Sequence, residues 1–377
     1  AEVALACVLL VGAGLLLRSF LKVLDVDVGF QPSAASAISL NFEDNVKPAD
    51  VISYWREVIS RVETIPGVET AGISDNLPLS RNRSWGISVK GQTYPKGYLE
   101  STFVFIVSPG YLRAAGMRLI EGRDFTWDDG PGREPVVIVN RTVASKLWPG
   151  QNPIGRIAII GGQEARVVGV IDDVRENGVE ADAGWQMYLP ITIPGWGPEG
   201  ANLVVRSQLP AETLAPSVMA TLRQINPAQP ATQLVPMQNL VDHAVSPRRF
   251  FVVLVGIFAM VGMVLASLGI YGVISYSVTQ RRQEIGIRMA LGASQWQVQR
   301  EVSWRTLRLA LIGIAAGAIA SVAAARLIAG LLFGTAPTDP ITFVGTVVLL
   351  GGVAMVAGYF PARRASRIEP MIALRSN

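Results

Sequence analysis

The apolar positions of this chain fall in blocks. Residues 3–17 (VALACVLLVGAGLLL) form the first, ending at Arg18. It is a few residues short of the roughly 20 that cross a bilayer as a helix, and residues 19–21, or chain upstream of Ala1, would complete it. Residues 250–278 form the second block, longer than a bilayer requires, which predicts a helix that tilts or projects beyond the membrane. Residues 309–325, extended to about 307–329, and residues 341–360 form the third and fourth. Each is uncharged through its core, and a helix buried in a soluble protein rarely runs so long without a polar face. The pattern predicts four transmembrane helices, one before and three after a long mixed segment.

Residues 30–247 have the texture of a globular α+β domain. Residues 37–42 alternate as a strand, 48–65 read as a helix stopped by Pro66-Gly67, and 68–74 resume as a strand. A second β-α-β unit comes late, with strand 202–206, helix 211–225 and strand 232–235. Two such units around one sheet predict a ferredoxin-like (split β-α-β) subdomain. Between them lie a strand at 136–139, a helix at 141–147 and a hairpin of 156–160 with 165–171 around Gly161-Gly162. The expected organisation is a first transmembrane helix and stalk at 1–29, an extracytoplasmic domain at 30–247 with a second subdomain inserted at about 108–190, and a permease domain at 248–377. The apolar start at Ala1, without the basic flank of a signal peptide, points to a first helix that continues upstream and to a piece of a longer protein.

Charge gives the orientation. The loop 279–308 carries Arg281, Arg282, Arg288, Arg300, Arg305 and Arg308 against Glu284 and Glu301, and the tail carries Arg363, Arg364, Arg367 and Arg375. The connector 334–340 has no arginine or lysine. Arginines beside apolar runs fit the anionic inner leaflet better than nucleic acid, so loop, tail and N-terminus are expected in the cytoplasm and residues 30–247 outside. Arg18 and Lys22 run against this trend. One cysteine, Cys7, allows no disulfide within the chain, and one histidine, His243, allows no multi-histidine metal site; its plainer reading is a helix-end surface residue. Asp128-Asp129 and Asp172-Asp173 could bind a cation or act as acid and base, but read better as solvated turns. Ser74 and Ser84 lie in no nucleophile-elbow pattern.

The chain carries no GxxxxGK[ST] phosphate loop, and the four apolar runs hold no acid, lysine or histidine in their cores. Ion-coupled carriers usually need such groups at depth, so any transport work would draw on an external ATPase. No resident cofactor or metal is expected. Gly313 and Gly317, extended by Ser321, and the pair Gly262 and Ala266 have the spacing of closely packed helices, or reflect general small-residue enrichment in membranes. In 280–291 (QRRQEIGIRMAL), Arg281, Glu284 and Arg288 share a helical face, with Ile285 and Met289 on the adjoining one. Such an amphipathic helix either anchors at the interface or docks into a partner.

Four segments carry a more specific resemblance. RRQEIGIRMALGAS at 281–294 resembles the signature loop of the MacB/FtsX permease family. REPVVIVNRTVASKLWPGQNPIGRIAI at 133–159 and VVGVIDDVR at 167–175 are similar to its extracytoplasmic domain, and FPARRASRIEPMIALR at 360–375 to its C-terminal tail. The opening AEVALACVLLVGAGLLLRSF resembles the second module of the acidobacterial duplicated orphan permeases. The resemblance implies a permease subunit that binds no ATP itself, with an ABC ATPase docked on its cytoplasmic loop. Arg281, Arg282, Glu284, Gly286, Ile287, Arg288, Leu291 and Gly292 would form the contact. It also implies a second permease module, on the same chain or in a homodimer, an extracytoplasmic adaptor, membrane lipid and no nucleic acid. Family members export from the periplasm, release lipoproteins or activate cell-wall hydrolases by mechanical signalling. A membrane-anchored extracytoplasmic enzyme is a third class, for which no catalytic constellation is present.

Overall fold

The computed structural model describes residues 2–41, 48–80, 82–92, 100–193, 200–229, 232–281, 284, 287–288 and 294–365. The chain divides into two compact units, one of residues 1–25 with 247–377 and the other of residues 26–246.

The first unit is helical. It contains α1 (Glu2–Leu24), most of α6 (Gln238–Gln280), α7 (Gln295–Leu327) and α8 (Pro340–Ala365). All four are long and apolar enough to cross a membrane. Their buried positions follow helical spacing: Ala6, Cys7, Val11, Leu15, Ser19 and Val23 form one stripe along α1, which meets Ala266 of α6, Ile314 and Ala325 of α7 and Leu350 of α8. The outward positions are also apolar. Phe250, Val253, Ile257, Val261 and Val264 of α6 are exposed, the signature of a helix whose solvent is hydrocarbon.

Among the described residues, the second unit is built on eleven strands. Its first layer uses β1 (Ala35–Asn41), α2 (Pro48–Glu63), β2 (Val68–Ser74), β10 (Gly200–Ser207), α5 (Ala211–Ile225) and β11 (Val235–Pro236), in sheet order β11-β1-β10-β2. Each β-α-β pair therefore brackets a strand of the other. All three pairings are antiparallel, with Ala35 opposite Arg206 and Val205 opposite Ala71. The helices α2 and α5 join one core through Trp55, Val58, Val62, Leu214, Val218 and Leu222, packed on Ile38, Ile73 and Leu203.

The second layer closes on itself. It comprises β3 (Ser84–Val89), β4 (Glu100–Val107), β6 (Val136–Asn140), β7 (Ile157–Ile160), β8 (Gln163–Ile171) and β9 (Gln186–Pro190). The pairings run β3-β7-β8-β6-β9-β4 and return from β4 to β3. This six-stranded barrel leaves no free edge among its strands. Its interior holds Ile87, Val104, Val137, Val139, Val167 and Met187, with Val143, Leu147 and Trp148 added by α4 (Arg141–Leu147) and its cap. Strands β3 and β4 precede the expected 108–190 insert and belong to the barrel. The short β5 (Leu119–Gly122) lies along β8, and α3 (Tyr111–Ala115) lies on β2. The approach of α3 is so close that a Cβ on Gly72 would run into the Tyr111 backbone. One pair, Ser74 opposite Val107, joins the two layers.

Candidate functional site

The loop between α6 and α7 carries the sequence-expected site. Arg281 directly follows α6, its N–H donating to the Ser277 carbonyl at 3.3 Å. Glu284, Ile287 and Arg288 are helical and exposed. Arg282, Gly286, Leu291 and Gly292 lie outside the described residues, as do Ile285 and Met289 and the tail beyond Ala365. The Arg288 guanidinium donates to Glu284 at 2.5 Å, the expected i,i+4 pair, and also to Glu301 on α7 at 3.1 Å. That second bond was not legible in the sequence, because it joins the loop to another helix. α7 then starts with a capping box: Ser294 Oγ accepts from the Gln297 N–H at 3.3 Å, and Gln297 returns the bond to the Ser294 N–H at 3.0 Å.

The small residues mark where α1 is gripped. A Cβ on Gly317 would lie 2.6 Å from the Cys7 Cβ and 2.8 Å from the Ala4 carbonyl oxygen, and one on Gly313 would lie 2.9 Å from the Val3 Cβ. Gly262 faces Leu9 and Ala6, and Ala266 is buried one turn on. Both pairs are thus places of close approach to the same helix.

The opposite end of the bundle carries a polar latch. Arg18 pairs with Asp339, and Lys22 donates to the Gly334 carbonyl. Ser19 Oγ accepts from Arg248 at 2.8 Å and from the Phe333 N–H at 2.7 Å. Asp339 also caps α8, accepting from the Thr342 N–H at 3.0 Å and its hydroxyl at 2.7 Å. The two basic residues that defy the charge trend are therefore occupied by the α7–α8 connector.

In the second unit Asp128 is exposed in a turn, as expected, whereas Asp129, Asp172 and Asp173 are engaged by other side chains. Asp173 accepts from Asn140 at 2.6 Å, from the Thr142 N–H at 3.0 Å and from the Thr142 hydroxyl at 2.9 Å, so it fixes the start of α4. Asp172 pairs with Arg118 and Arg141. Asp129 takes both arms of Arg123 at 2.7 Å, and that hydrogen bonding holds its carboxyl below the usual range. His243 is exposed on α6. Among the described residues no group of three or more His, Cys, Asp and Glu side chains gathers as a metal site.

One buried group escaped sequence reasoning. Glu176 is 3% exposed, and among the described residues neither of its carboxylate oxygens has a hydrogen-bond partner of good geometry. The buried Tyr111 and Tyr188 hydroxyls share that condition. Burial pushes the Glu176 carboxyl up to about 8, against an opposing pull from the Leu79 backbone N–H. Burial raises both phenols as well, reinforced by the charges of Glu176 and Asp75 around Tyr111 and of Glu176 and Asp173 around Tyr188.

A bundle of four apolar helices, a two-layer domain inserted after the first of them, and a basic loop tied back to the third define a multi-pass membrane protein with a large extracytoplasmic domain. The model of the MacB-like periplasmic core domain matches residues 4–225, and that of the FtsX-like permease C-terminal domain matches residues 256–370. The chain belongs to the MacB/FtsX-like ABC permease family. It is 26% identical over 277 residues to the macrolide export ATP-binding/permease protein MacB of Chromobacterium violaceum, covering 71% of this chain and 42% of that protein. It is 23% identical over 274 residues to the ABC transporter permease YknZ of Bacillus subtilis, covering 71% of this chain and 68% of that one. The periplasmic region of MacB from Actinobacillus actinomycetemcomitans aligns with 58% of this chain and 95% of its own length, at 16% identity and a TM-score of 0.39. The chain therefore spans less than half the length of the MacB relatives it matches.

Proposed function

We propose that the chain is the permease subunit of an ABC transporter of the cell inner membrane, and that it transmits motion from a separate ATPase to its extracytoplasmic domain for export. In this reading the loop 279–308, the tail and the N-terminus are cytoplasmic, and residues 30–247 are periplasmic. The ferredoxin-like description suits the first layer, whose two β-α-β units interleave. A second permease module, from the same chain or another copy, completes the membrane unit. An adaptor engages the periplasmic face.

The observation that supports this reading best is Arg288. It is bonded at once to Glu284 within the loop and to Glu301 on α7. A partner that pushes on the loop helix would move α7 with it, and α7 in turn grips α1 through Gly313 and Gly317. The ATPase would dock on Arg281, Arg282, Glu284, Gly286, Ile287, Arg288, Leu291 and Gly292. The test is stimulation of the partner ATPase by permease reconstituted in liposomes. Glu284→Arg and Gly292→Trp should abolish it while leaving the permease folded. Full stimulation and undiminished ATPase binding by both variants would refute the docking role.

A further inference from the structure

α7 begins well before its apolar stretch, which starts at Leu307. Its first turns carry Trp296, Arg300 and Trp304 at i, i+4 and i+8, on one exposed face. Trp304 has company at the same end of the bundle: Tyr276 near the end of α6 and Tyr359 and Phe360 near the end of α8 are all exposed. Trp and Tyr rings collected at one level of an apolar bundle mark the headgroup boundary. At 1.5 Å per residue, Arg300 lies about 6 Å outside the Trp304 level and Leu307 about 4.5 Å inside it. Phosphate, glycerol and acyl chain succeed one another in that order across a leaflet.

An open cleft of about 780 Å³ follows the same gradient. Arg300, Ser303 and Trp304 line its outer part, and Leu307 of α7 and Met355 of α8 line its inner part. Gln297 adds a donor at the rim. Glu301 also faces the cleft, but its carboxylate is engaged by Arg288 at 3.1 Å. Among the described residues Arg300 makes no ion pair. The free positive charge, the donors beside it and the apolar floor match one kind of occupant.

We propose that this cleft is a binding site for a single anionic phospholipid, with the phosphate on Arg300 and the upper acyl chain along Leu307 and Met355. The proposal needs the bundle to lie in a bilayer and does not need the ATPase dock. Its test uses the full chain in detergent, incubated with an equimolar mixture of phosphatidylglycerol and phosphatidylcholine and read by native mass spectrometry without any ATPase. Phosphatidylglycerol should dominate the retained lipid. Arg300→Ala should lower that retention about fivefold, the effect of one basic residue beside an anionic surface. Arg300→Lys should restore most of it. Met355→Trp, which fills the apolar floor and keeps the charge, should lower it too, whereas Arg308→Ala, outside the cleft, should not. Thermal melting of each variant reports that it is folded; should Arg300→Ala fail to fold, Met355→Trp and loss of the phosphatidylglycerol preference in high salt carry the test. Equal retention of both lipids by the unaltered chain, or equal losses from Arg300→Ala and Arg308→Ala, would overturn the proposal. So would an Arg300→Ala chain that loses a partner ATPase but keeps its lipid.

Discussion

Glu176 lies in a stretch, Arg175 to Gly178, whose composition reads as a surface turn, and the fold buries it beside Tyr111 and Tyr188. Its folded carboxyl titrates near 8 against an ordinary value of 4.5, so between those limits the folded chain holds a proton that the unfolded chain releases. The associated stability is fully present below about pH 4.5 and is lost as the pH rises toward 8. A tenfold difference in proton affinity between the folded and unfolded chain is worth about 1.4 kcal/mol. The melting temperature of the full chain in detergent should therefore fall from pH 5 to pH 8 through this group. Glu176→Gln should raise it at pH 8 and flatten that slope; an unchanged slope would show that the carboxyl ionises freely in the fold. No sequence signal marks this position, because its surroundings come from other parts of the chain, the Leu79 turn and Tyr111 of α3 among them. Cys7 and His243 were legible at this scale, since a lone thiol in an apolar run and a lone imidazole at a helix end have few options. Asp128 was legible too, but its paired neighbours were not: Asp173 looks like any acid after a strand until Asn140 and Thr142 are brought to it.

At the scale of elements, helices were easier to read than strands. α1, α6, α7 and α8 declare themselves by uninterrupted apolar runs, and α4 and α5 by clear periodicity and stops. Strands β3, β4, β5 and β9 were not legible. β3 contains Gly86, which breaks its alternation, and β9 is buried at all five positions, so it has no polar face to alternate with. The parallel pairing of β4 with β9 also joins segments with much chain between them, and no local pattern encodes it. Two predictions belong to packed helices. Gly317→Leu should push α1 off α7, because even a Cβ there meets the Ala4 carbonyl at 2.8 Å; overpacking of this kind costs about 1–3 kcal/mol. Gly256→Ala, in open space on α6, should leave the detergent melting temperature unchanged or slightly higher. At the latch, Asp339→Ala removes a helix cap and the partner of Arg18 together, and should cost about 1–2 kcal/mol. Combined with Arg18→Ala, the loss should be less than the sum of the two, as measured by a double-mutant cycle on melting.

For the whole molecule, the 1+3 arrangement of helices around a large inserted domain was legible from apolar blocks alone. The closed barrel and the central place of α1 were not, since both depend on which distant surfaces meet. If the chain works as proposed, with a partner ATPase acting on its loop, function at this scale turns on whether the loop and α7 move together. Arg288→Glu should put three acids side by side at Glu284, residue 288 and Glu301, and so detach the loop from α7. In liposomes with the partner ATPase, that variant should keep ATPase binding better than it keeps transport or stimulation. Adding Glu301→Arg should restore coupling in part; coupled activity that survives Arg288→Glu intact would show that the bridge carries no motion.

The grip on α1 also has a consequence for how the protein is made. α1 leaves the ribosome ahead of the inserted domain, and the surfaces that hold it are synthesised only after that domain: Gly262 of α6, Gly313 and Gly317 of α7, and Thr342 of α8, which meets Gly14. At ordinary rates of chain elongation that delay is on the order of tens of seconds. During it, Arg18 and Ser19 lack Asp339, Arg248 and Phe333. The nascent helix therefore passes that interval without the groups that its polar side chains bond in the folded chain.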